Sequence, residues 1–176
     1  FQTKNNSELV GILGNFINRV MVLSHKYYEG IVPAKTIEFE ELTEIKYFAK
    51  RIGDHLEKYE FRAALTEYMN LARLGNQFLQ AQEPWKKGDD PEAVKGIMYA
   101  ATQIAAALGQ LGEPFIPFAS EKMLAMMNVE KMSWDDLDEK HYNWPTVSEV
   151  RAYRDKAKMM LREVILSTPL VLPVTW

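Results

Sequence analysis

The chain has 176 residues, with 21 Lys+Arg against 24 Asp+Glu, 47% hydrophobic residues and 26% charged residues. A domain of this length buries roughly 70% of its unfolded surface within a radius of gyration of about 16 Å, so two full domains are not expected. The composition excludes a mainly disordered, collagen-like or low-complexity chain. A net charge of −3 argues against a strong, sequence-independent grip on nucleic acid, but leaves recognition of a few exposed bases open.

The absence of cysteine removes disulfides, thiolate nucleophiles and cysteine-bound zinc or iron–sulfur sites. The longest uncharged run, Gly96 to Gly112, is short of a membrane span and contains Thr102, Gln103 and Gln110, so it reads as a buried helix of a soluble protein without a membrane partner. No charged start followed by an apolar stretch resembles a secretory signal, and a first residue Phe1 suggests a piece of a longer protein.

After the polar entry Asn5-Asn6-Ser7, apolar residues at Leu9, Leu13, Phe16, Val20 and Leu23 recur at the spacing of one helix face. A first helix is predicted to about Tyr27, stopping near Gly30 and Pro33. A second follows Thr36, with Leu42, Ile45, Ala49, Ile52, Leu56 and Tyr59 at helical intervals. The third carries Ala64, Leu65, Tyr68, Leu71, Ala72 and Phe78, and ends near Gln82 because the Pro84 ring pushes Glu83 out of helical geometry. Asp90-Pro91-Glu92 then joins a capping carboxylate, a proline at the first helical position and an acid at the positive end of the dipole. Val94, Ile97, Met98, Ala101, Ile104 and Leu108 form the fourth stripe, closed by Gly112 and Pro114. A shorter helix is predicted after Pro117, through Phe118, Met123, Leu124 and Met127. A final helix starts at Thr146, with Glu149 completing a capping box, and runs through Val150, Ala157, Leu161 and Val164 to an extended, apolar end from Thr168 to Trp176. Nothing alternates with period two long enough to demand a sheet. The fold class is all-α, an antiparallel helix bundle of about five to six helices.

Motifs for catalysis are missing. Gly11 and Gly14 lie three apart in a helical stripe, without the lysine and hydroxyl of a phosphate-cradling loop, and there is no serine elbow. His25, His55 and His141 are scattered and read as surface or capping residues. A di-iron bundle needs paired Glu-x-x-His motifs, and only Asp138-x-x-His141 comes near. No catalytic residue, metal or cofactor is therefore assigned to this chain. Met126-Met127 and Met159-Met160 read as core filler, and Trp134 and Trp144 as packing residues.

Two polar features remain. Asn15 and Arg19 lie four residues apart and so point the same way, with Gly11 a further four back, away from the apolar stripe. Asn offers a donor and an acceptor on a short stalk and Arg a rigid fork of donors, so the pair fits the edge of an unpaired base as well as a solvated helix face. In Gln82-Glu83-Pro84-Trp85-Lys86, proline ends a helix and throws the indole into the exit corner. There it can carry a stacked base while Lys86 and Lys87 answer phosphates, or plug the end of the bundle.

The run Asn6-Ser7-Glu8-Leu9-Val10-Gly11-Ile12-Leu13-Gly14-Asn15-Phe16-Ile17-Asn18-Arg19-Val20 resembles the opening helix of the anticodon-binding domain of methionyl-tRNA synthetase. Asn76-Gln77-Phe78-Leu79-Gln80-Ala81-Gln82-Glu83-Pro84-Trp85-Lys86 resembles the same domain's helix end. The resemblance continues through the helix after Asp90, the two-proline turn from Leu111 to Phe118, and Met132-Ser133-Trp134, covering residues 1–137. Residues 138–176 depart from the family pattern and are expected to add a C-terminal helix and tail to the same domain.

The resemblance implies an all-α module that reads the CAU anticodon of methionine tRNA. Asn15 and Arg19 would hydrogen-bond to anticodon bases, Trp85 would stack, and Pro84 would shape the corner. It also implies a cytoplasmic parent whose separate catalytic domain attaches methionine to tRNA with ATP. Lys131-Met132-Ser133 matches only half of that domain's KMSKS loop and is read as coincidence. The alternatives are a helical protein–protein interaction or assembly module in which Trp85 is structural, and the anticodon domain of another class I synthetase.

Overall fold

The computed structural model describes residues 6–34 and 37–134, with side chains from residue 9 onward. The described residues form five packed helices and no strands: α1 (Asn15–Tyr28), α2 (Glu40–Glu57), α3 (Phe61–Gln82), α4 (Pro91–Leu111) and α5 (Pro117–Met126). The final helix predicted from Thr146, with its capping box, lies outside the described residues, as do His141, Trp144, Met159 and Met160.

The entry to α1 differs from the expectation. Residues Asn6–Gly14 are π-helical and run directly into α1. Gly11 and Gly14 give this stretch little preference for the tighter α register. Leu9 and Leu13 remain buried in the wider one. In i→i+5 bonding a four-residue step falls short of a full turn, so Gly11, though exposed, does not sit directly beneath Asn15 as the α spacing implied. Helix α2 also begins later than the position after Thr36. Phe39 is held in extended geometry at its entry, its ring meeting Phe78 edge-on with centroids 5.0 Å apart. That contact anchors the start of α2 on α3.

The other boundaries follow their predicted punctuation. Helix α3 stops at Gln82, and Asp90 Oδ1 accepts from the Ala93 N–H at 3.0 Å at the start of α4. The three residues between α2 and α3 make them antiparallel neighbours with the largest interface in the fold. His55 Nδ1 and Glu60 Oε2, 2.6 Å apart, tie this corner, which gives His55 a local structural role.

Helix α4 is the axis of the bundle and packs against all four others. Its alanines, Ala100, Ala101, Ala105, Ala106 and Ala107, are buried and present little bulk, so the neighbouring helices come close. The uncharged run from Gly96 to Gly112 is thus a buried core helix. The Tyr68 hydroxyl crosses from α3 to donate to the Leu108 carbonyl at 3.1 Å, and burial pushes this phenol above its ordinary range. After α5, Gln110 grips the returning chain: its Nε2 donates to the Glu130 carbonyl at 2.7 Å and its Oε1 accepts from the Met132 N–H at 3.0 Å. This grip brings Trp134 against the core beside Gly53, the packing role expected of it, and Met126 and Met127 are buried filler.

Candidate nucleic-acid interface

The corner after α3 is built by backbone chemistry. Glu83 adopts the left-handed conformation, φ 43°, and its N–H donates to the Leu79 carbonyl at 3.0 Å. Proline cannot continue the helix, and Pro84 opens a single 3-10 turn, Pro84–Lys86, instead. Pro84 is buried, whereas Trp85 is 37% exposed, so the ring that stops the helix is the anchor and the indole stands out of the surface.

Helix α1 meets the indole there. The Arg19 guanidinium carbon lies 5.1 Å from the centroid of the Trp85 ring, within cation–π range. Asn18, Arg19, Val22, Leu23 and Trp85 line an open cleft of about 240 Å³. Asn15, one α-turn before Arg19, is half-buried, and its Nδ2 donates to Asn76 Oδ1 on α3 at 3.2 Å. The two polar features of the sequence therefore share one surface, with Arg19 and Trp85 in contact and Asn15 beside them.

The two lysines stand differently. Lys86 Nζ pairs with Glu83 Oε1 at 2.9 Å, and both side chains are accessible. Lys87 Nζ donates to Gln82 Oε1 at 3.3 Å and keeps its charge without a carboxylate partner among the described residues. The rim thus holds Lys87 and Arg19 as cations without an ion pair among the described residues. A flat indole flanked by a guanidinium, an amide and lysines suits a planar, polar-edged, anionic ligand.

The sequence reading had not assigned Asn18, Val22 and Leu23 to the cleft. The signal was present in helical spacing, since Val22 and Leu23 follow Asn18 and Arg19 by four residues. Gly75 was also missed, and it sets the approach of α1 to α3: a Cβ there would lie 2.6 Å from Phe16 Cζ. No spacing rule reveals that contact, because Phe16 and Gly75 belong to helices distant in sequence.

No helix among the described residues is long and apolar enough to cross a membrane, and no cluster among them holds three or more residues suited to a metal ion. Residues 34–156 match the family model described as the anticodon binding domain of methionyl tRNA ligase. The methionine–tRNA ligase of Flavobacterium psychrophilum is 53% identical over 143 residues, 78% of this chain and 21% of that protein. That of Cytophaga hutchinsonii is 46% identical over 141 residues, 77% of this chain and 20% of that protein. The chain thus spans about a fifth of the length of the curated relatives it matches. The crystal structure of the apo form of Mycobacterium tuberculosis methionyl-tRNA synthetase superposes with a TM-score of 0.69 at 17% identity, covering 84% of this chain and 32% of that one, which shows a shared fold. The family match extends over more than half of the sequence, and the chain belongs to the anticodon-binding domains of methionyl-tRNA synthetase.

Proposed function

We propose that this domain reads the CAU anticodon of methionine tRNA through Asn15, Arg19 and Trp85. The observation that carries this reading is the meeting of Arg19 and Trp85, 5.1 Å apart across two motifs remote in sequence, with Asn15 on the same face. Trp85 stacks a base, Arg19 and Asn15 bind base edges, Pro84 holds the corner rigid, and Lys86 and Lys87 meet phosphates once Lys86 exchanges Glu83 for RNA. The packing of Trp85 against one half-buried guanidinium, with the indole itself exposed rather than turned into the bundle's end, favours this over an assembly module with a structural tryptophan.

We further propose that the parent activates methionine with ATP and transfers it to tRNA in the cytoplasm; the relatives' name, methionine–tRNA ligase, supports the joining of methionine to tRNA. Catalysis then belongs to a domain of the parent outside this chain, and selection of the tRNA to this one. We place 138–176 in the same domain as 1–137, and the family match, over residues 34–156, supports this as far as 156.

The test is titration of the 176-residue chain with RNA hairpins bearing CAU or altered anticodon loops, at one salt concentration. A stacked base contributes about 1–3 kcal/mol, so Trp85→Ala should weaken CAU binding roughly 5- to 150-fold. Arg19→Lys should also weaken it, because an ammonium lacks the paired donors of a planar guanidinium. Equal binding of every hairpin by the unmodified chain, or full affinity in a folded Trp85→Ala variant, would refute the reading.

A further inference from the structure

Asn76 lies behind the site, on α3, and was not assigned a role by its place in the helix-end motif. Its Nδ2 donates twice, to the Ile12 carbonyl at 2.9 Å and to the Ala72 carbonyl at 3.1 Å. Both amide hydrogens are thereby used, and turning the amide by half a rotation would set its Oδ1 against two carbonyl oxygens. The orientation is fixed, and Oδ1 faces Asn15 as an acceptor. Asn15 must answer with Nδ2. Its own Oδ1 and second Nδ2 hydrogen have no other hydrogen bond among the described residues.

This order of polarity has a consequence for bases. A free asparagine amide can present oxygen or nitrogen to either side, so it can pair with an amine next to a ring nitrogen or, once turned, with a keto oxygen next to a ring N–H. Cytosine and adenine have the first edge, uracil and guanine the second. An amide that cannot turn keeps only one of the two. We propose that Asn76 is a positioning residue that locks the Asn15 amide, so that the position read by Asn15 discriminates between an amine-bearing edge and a keto edge. The anchor of the lock is backbone: Ile12 lies where the π-helical entry meets α1, and Ala72 is one turn back on α3, so no side-chain rotation releases it.

The inference rests on the anticodon reading above, and the experiment separates the two. The chain is titrated with hairpins whose loops carry CAU, or CAU with cytosine replaced by uracil, adenine by guanine, or uracil by cytosine. At one of these positions the unmodified chain should prefer the CAU base over its replacement by roughly 5- to 150-fold, the range of one well-placed bidentate contact. In Asn76→Ala the amide turns freely, and that preference should collapse further than the affinity for CAU falls. Asn76→Asp sets a carboxylate oxygen against the Ile12 and Ala72 carbonyls, so the anchor is lost and the preference should fall there too. In an Asn15→Ala background, Asn76→Ala should leave the ratio between hairpins unchanged. An Asn76→Ala variant of native helicity that weakens every hairpin by the same factor would overturn the lock. Should Asn76→Ala fail to fold, a full preference in folded Asn76→Asp would overturn it equally. A parent chain that treats all hairpins alike would instead overturn the anticodon reading itself.

Discussion

Replacing Gly75 by alanine tests how α1 is seated against α3. The added Cβ would lie 2.6 Å from Phe16 Cζ and 2.7 Å from Cε1, closer than real Cβ contacts allow, and the Phe16 ring is fully buried. Overpacking of this kind costs about 1–3 kcal/mol. Glycine to alanine inside a helix also gains about 0.5–1 kcal/mol of propensity, which obscures the clash in a single measurement. Gly53→Ala on α2 supplies the control, because its Cβ would meet only Trp134 at 3.9 Å, an ordinary contact. Both variants gain the same propensity, so the difference between them isolates the packing effect. Gly53→Ala should melt about 1–4 °C above the parent, and Gly75→Ala roughly 2–12 °C below Gly53→Ala, at about 2–4 °C per kcal/mol for a chain of this size. Far-ultraviolet circular dichroism melts, with guanidinium titrations as a second measure, give both numbers. Because Phe16 adjoins Asn15 and lies one turn from Arg19, hairpin affinity should fall in Gly75→Ala and stay at the parental level in Gly53→Ala. Equal stability of the two variants would refute the argument that close contact at Gly75 determines where α1 sits.

Two further outcomes follow from single side chains. Glu83 holds a left-handed conformation that disfavours residues other than glycine, so Glu83→Gly should stabilise the chain by about 1 kcal/mol in guanidinium unfolding. Its loss also removes the carboxylate paired with Lys86, so CAU hairpins should bind at least as tightly at fixed salt; weaker binding would show that the ion pair organises the site. Tyr68 stays protonated in the folded state well above its ordinary value of 10.0, while the unfolded chain ionises near that value and holds fewer protons. Stability is therefore unaffected by this group below pH 10 and should fall above it by about 1.4 kcal/mol per pH unit, a slope that Tyr68→Phe should remove. Phenolate absorbance should lack one tyrosine's contribution until the protein unfolds.

Helix limits and the core were largely written in local sequence. Pro84 stops α3, Asp90 and Pro91 start α4, and the apolar stripes bury the faces they mark, because each of these effects acts over about one helical turn. The Asn-x-x-x-Arg and Pro-Trp motifs likewise marked Asn15, Arg19 and Trp85 as candidates. What local chemistry could not decide was the register of the entry to α1. There, Asn6–Gly14 is π-helical, and the Ile12 carbonyl within it accepts a hydrogen bond from Asn76 on α3, a contact that no local pattern announces.

Tertiary contact alone decided how the candidates face one another. Asn15 and Asn76 are 61 residues apart in sequence, and only the packing of α1 against α3 sets one amide against the other. The same packing depends on a missing Cβ at Gly75, and it brings Arg19 over the Trp85 ring. Spacing along a helix tells which side chains share a face, but the azimuth of that face toward a neighbouring helix is a property of the interface. The sequence by itself determined that a polar pair on α1 and an indole at the end of α3 would exist; the fold exposed the indole, made them one surface and gave the Asn15 amide its direction.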